Sequence, residues 1–245
     1  MADKLYLIDG MALTYRSYYA LSKANLVNSK GFPTGAIYGF FKSLLKIIEK
    51  DKPKYVGVAW DGPGKTIRHE QYEAYKAHRP EMPEDLKCQL DYIQKGVEAL
   101  EIPFLVFPGY EADDILATFA QKGAQEGLEV RIVSGDKDLM QLVSPKIHII
   151  SFDRKGEVLE YGPKEVEEKF GVKPCQIRDY LALVGDTSDN VPGVPGIGAK
   201  RARKLLQEWG SVENILKNLD HLGSPRLIQA IQDNLDQLSL SLELV

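Results

Sequence analysis

The stretch Gly109-Tyr110-Glu111-Ala112-Asp113-Asp114-Ile115-Leu116-Ala117 places three carboxylates within four positions at the head of an apolar-periodic run. One acid at a helix start is an ordinary cap, favoured by the exposed N–H groups and the dipole there. Three together repel one another unless cations or protons relieve them, and so point to a metal. Helical spacing puts Glu111 and Asp114 on one face and turns Asp113 toward the preceding loop. Other acids recur in similar places. Asp9-Gly10 follows Leu5-Tyr6-Leu7-Ile8, and Asp61-Gly62 follows Tyr55-Val56-Gly57-Val58-Ala59-Trp60. Asp136-Lys137-Asp138 follows Val130-Arg131-Ile132-Val133 and Ser134-Gly135. An Asp-x-Asp turn after a strand suits a hard divalent ion such as magnesium or manganese. Gly185-Asp186-Thr187-Ser188-Asp189-Asn190 adds two acids three apart, a pattern that also stabilises turns.

These acids need strand ends to hold them. The apolar runs at 5–8, 55–60 and 130–133 read as strands, and Phe104 to Phe107 reads as a fourth, broken by Pro108-Gly109. An acid at the C-terminal end of a strand is the usual ligand position of an open parallel α/β sheet. Ile115, Leu116, Phe119 and Ala120 continue as a helix, and Tyr15-Arg16-Ser17 falls in a helical turn. Thr34 to Lys50 carries Ile37, Phe40, Phe41, Leu44, Leu45 and Ile48 at helical spacing, with Thr34 as its N-cap. Pro83 opens a helix striped by Leu86, Leu90, Ile93, Val97 and Leu100. Ile147–Ser151 and Val158–Tyr161 form a hairpin around Asp153-Arg154-Lys155-Gly156 at the sheet edge.

Between Lys65 and Arg79 the chain turns basic and aromatic, with Lys65, Arg68, His69, Tyr72, Tyr75, Lys76, His78 and Arg79 against only Glu70 and Glu73. No apolar face is wide enough to bury such a helix, so it is either a solvated excursion or a nucleic-acid contact. Past Gly171 the pattern becomes helical only: Pro174 to Val184, Ser211 to Leu219, Pro225 to Ile231, and a segment beginning at Asn234. Within it, Gly193-Val194-Pro195-Gly196-Ile197-Gly198-Ala199-Lys200-Arg201 fits a helix-hairpin-helix. There backbone N–H groups meet phosphate oxygens, and Lys200, Arg201 and Lys204 add charge that is blind to base sequence. A phosphate-binding P-loop at Ala59 to Thr66 is disfavoured, because Trp60 and the anionic Asp61 would crowd and repel the ligand.

Composition narrows the class. A chain of 245 residues, 44% hydrophobic and 27% charged, can bury a sizeable core, and no window reaches the apolar length of a membrane span. The N-terminus shows no signal-peptide regions. Cys88 and Cys175 lack a CxxC pattern and the four histidines are scattered, so neither a disulfide framework nor a zinc site is indicated. A reducing, cytoplasmic setting fits. The ending Leu-Glu-Leu-Val, without a cap or Gly, suggests a chain cut from a longer one.

Together, in order, Leu7-Ile8-Asp9-Gly10 with Tyr15-Arg16, Asp61-Gly62, Arg68 with Tyr75-Lys76-Ala77-His78-Arg79, Glu111-Ala112-Asp113-Asp114, Asp136-Lys137-Asp138, Gly185 to Asn190 and Gly193 to Lys200 resemble the 5′ nuclease domain of bacterial DNA polymerase I. That domain is of the flap endonuclease and phage 5′-exonuclease superfamily. The resemblance covers essentially the whole chain. It implies an α/β fold, a PIN-like parallel sheet flanked by helices. Residues 1–172 would form the core with a helical arch at about 62–82, and 173–245 a helix-hairpin-helix subdomain. It implies Asp9, Asp61, Glu111, Asp113 and Asp114 around a first Mg2+ or Mn2+ ion, and Asp136, Asp138, Asp186 and Asp189 around a second. Arg16, Lys76 and Arg79 would steer and polarise the target phosphate. Arg68, Tyr75, Gly193, Gly196, Gly198, Lys200, Arg201 and Lys204 would contact DNA, with K+ held by carbonyls between Val191 and Ile197. Substrates would be DNA with a 5′ flap, nick or overhang and RNA primers on DNA, cut by a monomer, in its parent context beside a fused polymerase domain.

The formal net charge of −4 then misleads, since setting the nine acids aside leaves 26 against 31 basic residues, or +5. Rival functions are a non-catalytic binder of branched DNA, which lost carboxylates would favour, and a PIN-like ribonuclease, which has no use for arch and hairpin. A phosphatase of the haloacid dehalogenase type needs an acid two residues after Asp9, where Met11 stands.

Overall fold

Short apolar runs separated by amphipathic stretches build a six-stranded sheet with helices in a computed structural model that describes residues 2–153 and 156–245. The strands are β1 (Lys4–Asp9), β2 (Tyr55–Ala59), β3 (Phe104–Leu105), β4 (Glu129–Val133), β5 (Ile147–Phe152) and β6 (Val158–Tyr161), in spatial order β3-β2-β1-β4-β5-β6. All neighbours pair in parallel except β5 and β6, whose antiparallel hairpin forms the expected edge. Its turn residues Arg154 and Lys155 lie outside the described residues. Asp9 pairs with Ala59, and Ile8 with Val133, so the chain leaves three adjacent strands at one edge with Asp61, Asp9 and Asp136 just beyond them. The connection leaving β1 goes to β2 on one side while β4 lies on the other, which is the switch point where open α/β sheets place their ligands.

The chain divides into two compact units, one of residues 2–66 with Pro80–Gly162 and one of Ile67–Arg79 with Pro163–Val245. The first contains the sheet. Its helices are α1 (Gly10–Leu21) and α2 (Gly35–Asp51), and, on the far side of the excursion that holds α3 (Ile67–Gln71), α4 (Glu84–Lys87), α5 (Leu90–Ala99) and α6 (Ala112–Gln125). Ala36, Phe40, Leu44 and Ile47 recur on one face of α2 and are buried with Tyr6, Ile8, Ile93 and Val97 in one apolar cluster.

Thr34 makes no cap bond to α2 and is not in the extended conformation of an N-cap. The helix start is instead satisfied by Gln89, 1% exposed, whose Oε1 accepts from the N–H groups of Ala36 at 2.9 Å and Ile37 at 3.2 Å. Its Nε2 in turn donates to the Asp85 carbonyl at 2.7 Å. Gln89→Ala leaves those two donors without an acceptor and is expected to cost about 2 kcal/mol in urea unfolding; an unchanged midpoint would show that water replaces the amide. Two further expectations are shortened. The stripe from Leu86 to Leu100 is split into α4 and α5, with Leu100 beyond the last turn and 43% exposed. The strand at Phe104 stops at Leu105, and Phe107 is 48% exposed.

The second unit is helical, with α7 (Pro163–Phe170), α8 (Ile177–Val184), α9 (Ala199–Trp209), α10 (Val212–Lys217), α11 (Pro225–Gln232) and α12 (Leu235–Leu244). The basic segment 67–79 contributes α3 and a run of turns to this unit, not one long helix. It does bury apolar surface. Tyr75 is 2% exposed and packs with Tyr72, Val191, Leu240 and Leu244. Arg68 Nε donates to the Leu244 carbonyl at 3.0 Å, and Asn190 Nδ2 to the Ala74 carbonyl at 2.7 Å. Among the described residues no helix is long and apolar enough to cross a membrane.

Candidate metal centre

Asp9 ends β1 and begins α1. Its Oδ1 accepts from the Ala12 N–H at 2.9 Å, which makes the carboxylate the N-cap of the helix, and its Oδ2 accepts from Ser134 Oγ at 2.8 Å. Gly10 is required at the next position because a Cβ there would lie 2.2 Å from the Trp60 ring. Burial pushes the Asp9 carboxyl up from 3.8 to about 6. The two hydrogen bonds pull it down, and the charges of Asp61 and Asp136 push it up again.

The neighbouring acids are held in the same manner. Asp61 Oδ1 accepts from the Ala112 N–H at 2.8 Å, tying the end of β2 to the first turn of α6. Within that turn Asp114 Oδ2 accepts from the Glu111 N–H at 3.1 Å, while Glu111, 4% exposed, accepts from Thr66 Oγ1 at 3.3 Å. Asp113 sits half-buried in the same turn. Beyond β4, the Asp136 N–H donates to Ser134 Oγ at 3.1 Å and Asp136 Oδ1 accepts from the Asp138 N–H at 3.0 Å. Ser134 and Thr66 are both buried and escape notice in the sequence. A hydroxyl directly after a strand and two residues before an acid was the available signal for Ser134.

Arg16 lies one helical turn and a half beyond Gly10. Its guanidinium sits 4.6 Å from the Phe152 ring centre and donates to the Asp153 carbonyl at 3.0 Å, and burial lowers its pKa from the ordinary value. The sheet unit therefore brings together carboxylates from three strand ends and one helix start, with one arginine on the flanking helix. Oxygen donors of this kind, gathered at one sheet edge, match a hard divalent cation.

In the helical unit Asp186 is 2% exposed, accepts from the Ser188 N–H at 2.8 Å, and pairs by an isolated bridge with Val191. Asp189 accepts from Tyr75 Oη at 3.2 Å and is met by Lys76 Nζ at 3.5 Å and Arg79 at 2.5 Å. Tyr75 thus points its hydroxyl at an acid and has no ring face at the surface, and Arg68 is engaged by the C-terminal helix. Gly193 takes φ +66°, and a Cβ there would lie 2.4 Å from the Gly185 nitrogen. Its glycine character has a packing cause. Gly198 precedes α9 as its N-cap, and Lys200, Arg201 and Lys204 are exposed along that helix, with Arg201 donating to the Gly196 carbonyl at 2.7 Å.

Residues 4–171 match the 5′-3′ exonuclease, N-terminal resolvase-like domain, and residues 172–245 match the 5′-3′ exonuclease, C-terminal SAM fold. A mainly parallel sheet edged with acids, joined to a helical unit with a glycine hairpin, thus falls in a defined class. The chain belongs to the 5′-3′ exonuclease family. It is 49% identical over 214 residues to a 5′-3′ exonuclease of Aquifex aeolicus, covering 87% of this chain and 72% of that protein. It is 48% identical over 241 residues to the thermostable DNA polymerase I of Thermus thermophilus, covering 98% of this chain but spanning only 28% of the polymerase. Among solved structures, a flap endonuclease of bacteriophage T5 in a pseudo-enzyme-product complex with DNA and metal ions is similar, with a TM-score of 0.78 and 27% identity over 99% of this chain and 88% of that one.

Proposed function

We propose that the chain hydrolyses phosphodiester bonds at the 5′ ends and 5′ flaps of DNA, and in RNA primers on DNA, with two divalent cations, in the cytoplasm. The observation that carries this is the convergence of Asp9, Asp61 and Asp136 at adjacent strand ends, where burial first, and the charges of the other two acids after it, push the Asp9 carboxyl up to about 6. Asp9, Asp61, Glu111, Asp113 and Asp114 would hold one ion, and Asp136 and Asp138 belong to the set for the other. The same role for Asp186 and Asp189 rests on the family likeness. Bound there, the ions would supply Lewis-acid stabilisation of phosphoryl charge and ease ionisation of a water. In the hydrolysis, water oxygen bonds to phosphorus, the P–O bond to the 3′ oxygen breaks, and a water proton ends on that oxygen.

The side chains of this protein then have distinct duties. Arg16, Lys76 and Arg79 offset phosphate charge. The N-terminus of α9 with Lys200, Arg201 and Lys204 grips duplex backbone without reading bases, and carbonyls between Val191 and Ile197 take a K+ ion. Where a polymerase domain shares the parent chain, this activity clears 5′ ends ahead of it. The deciding experiment is cleavage of a labelled 5′-flap DNA with magnesium and with EDTA. Cutting near the junction only with magnesium is expected; tight binding without cutting would mark a non-catalytic binder, and preference for single-stranded RNA a ribonuclease.

Ser134 should matter to ion binding although it is no ligand, because it orients Asp9 and Asp136 together. Ser134→Ala is expected to weaken Mn2+ affinity about 10–100-fold in calorimetric titration, with Ser134→Thr close to wild type. Equal affinity in the alanine variant would show that the carboxylates hold themselves.

A further inference from the structure

The loop that carries Asp186 and Asp189 ends in a residue to which none of the roles above falls, Asn190. It is half-buried and left-handed, with φ +60°, a conformation that asparagine adopts more readily than most side chains. Its Nδ2 donates at 2.7 Å to the Ala74 carbonyl, which its own segment engages with a longer bond, from the Ala77 N–H at 3.2 Å. Two residues further on, Lys76 is also left-handed, with φ +56°, and its N–H donates to the Asp189 carbonyl at 3.1 Å. The backbone on either side of Tyr75 is thus tied to the acidic loop.

The ion pairs alongside cannot hold this segment during a reaction. Lys76 Nζ and Arg79 meet Asp189 at 3.5 and 2.5 Å, yet both must turn to a phosphate to offset its charge, and an ion on Asp189 would compete with them. The Tyr75 hydroxyl donates to the same carboxylate at 3.2 Å and faces the same competitor. The Asn190 amide reaches a backbone carbonyl instead, for which neither an ion on Asp189 nor a phosphate on Lys76 competes. A left-handed lysine is, besides, a backbone that its surroundings must enforce. We infer that Asn190 is a positioning residue, whose amide fixes the backbone from Ala74 to Lys76 so that Lys76 and Arg79 keep their aim at the target phosphate once they let go of Asp189. The inference rests on the nuclease function proposed above and adds to it the group that aims its cations.

Asn190→Gly and Asn190→Asp both accept the left-handed backbone and both lack the amide donor, so the lost bond is not confused with a strained turn. Each is compared with wild type in single-turnover cleavage of a labelled 5′-flap DNA in magnesium, in affinity for that DNA in calcium, and in hydrogen exchange over residues 72–79 without DNA. Both variants are expected to cut about 10–100-fold more slowly at saturating DNA, with Kd within about threefold of wild type, since a misplaced cation costs rate more than binding. Exchange over 72–79 should be faster in both. In a background that already carries Lys76→Ala and Arg79→Ala, either substitution of Asn190 should cost nothing further in rate, whereas the loss of a merely structural residue would cost as much as before. Cleavage by both variants within about threefold of wild type, unchanged exchange over 72–79, or an equal loss with and without Lys76 and Arg79 overturns the positioning role while the nuclease function stands. Failure of wild type to cut flap DNA in magnesium overturns the nuclease function and the positioning role with it.

Discussion

Asp136→Ala is expected to lower magnesium-dependent flap cleavage by on the order of 10^3-fold or more, with the fold intact. The expectation follows from what Asp136 does in the structure. It is one of the charges that raise Asp9, and its carboxylate holds the backbone of Asp138 at 3.0 Å, so one substitution removes a proposed ion ligand and loosens a second acid. The side chain lies half-buried on a loop, and its loss opens no core cavity. Single-turnover cleavage at saturating DNA reads the chemical step, and circular dichroism checks the fold. Activity within tenfold of wild type would remove Asp136 from the mechanism.

The second large effect concerns stability without ions. The Asp9 carboxyl titrates near 6 in the folded protein against 3.8 as its ordinary value, so the folded state holds this proton more tightly. The associated stability is present below about pH 3.8 and is lost as pH rises through about 6, on the order of 3 kcal/mol at most. In EDTA, the Tm difference between Asp9→Asn and wild type should therefore grow by several degrees in favour of the variant as pH goes from 4 to 7. Magnesium at pH 7 should raise the wild type and leave the variant nearly unmoved. A difference independent of pH would mean that burial does not raise the Asp9 carboxyl.

The placing of much of the candidate centre on strand ends and one helix start was legible because it lies where local chemistry shows. An apolar run that stops at Asp-Gly announces both a strand and its acid, and this holds at Asp9 and Asp61. The Asp136–Asp138 loop and the acidic start of α6 were legible for the same reason. What escaped depends on partners far along the chain. Gln89 caps α2 from 53 residues away, and Ser134 reaches Asp9 across 125, so no window contains both members. Thr34 looked like a cap by type and position, yet its backbone turns the wrong way and a buried amide takes its place. The basic segment 67–79 misled in a different way. Its composition announces a charged surface, while Tyr75 and Arg68 are turned into the helical unit by contacts with α12 and Asp189. A few buried contacts anchor the short segment, and composition averages such anchors away.

The bonds around Ser134 have a direction. Its oxygen already receives the Asp136 N–H, so its single hydroxyl hydrogen is left to point at Asp9, and the sequence of donors runs one way, from backbone amide through hydroxyl to carboxylate. Asp9 closes that run while its other oxygen anchors the first turn of α1. A proton arriving on Asp9 must therefore share an oxygen that is already receiving a hydrogen. An asparagine there would offer one oxygen to these two donors, so its amide nitrogen would face either the serine hydroxyl or the Ala12 N–H. The one-way polarity singles out the carboxylate over its isosteric amide even before any cation or nucleic acid is considered.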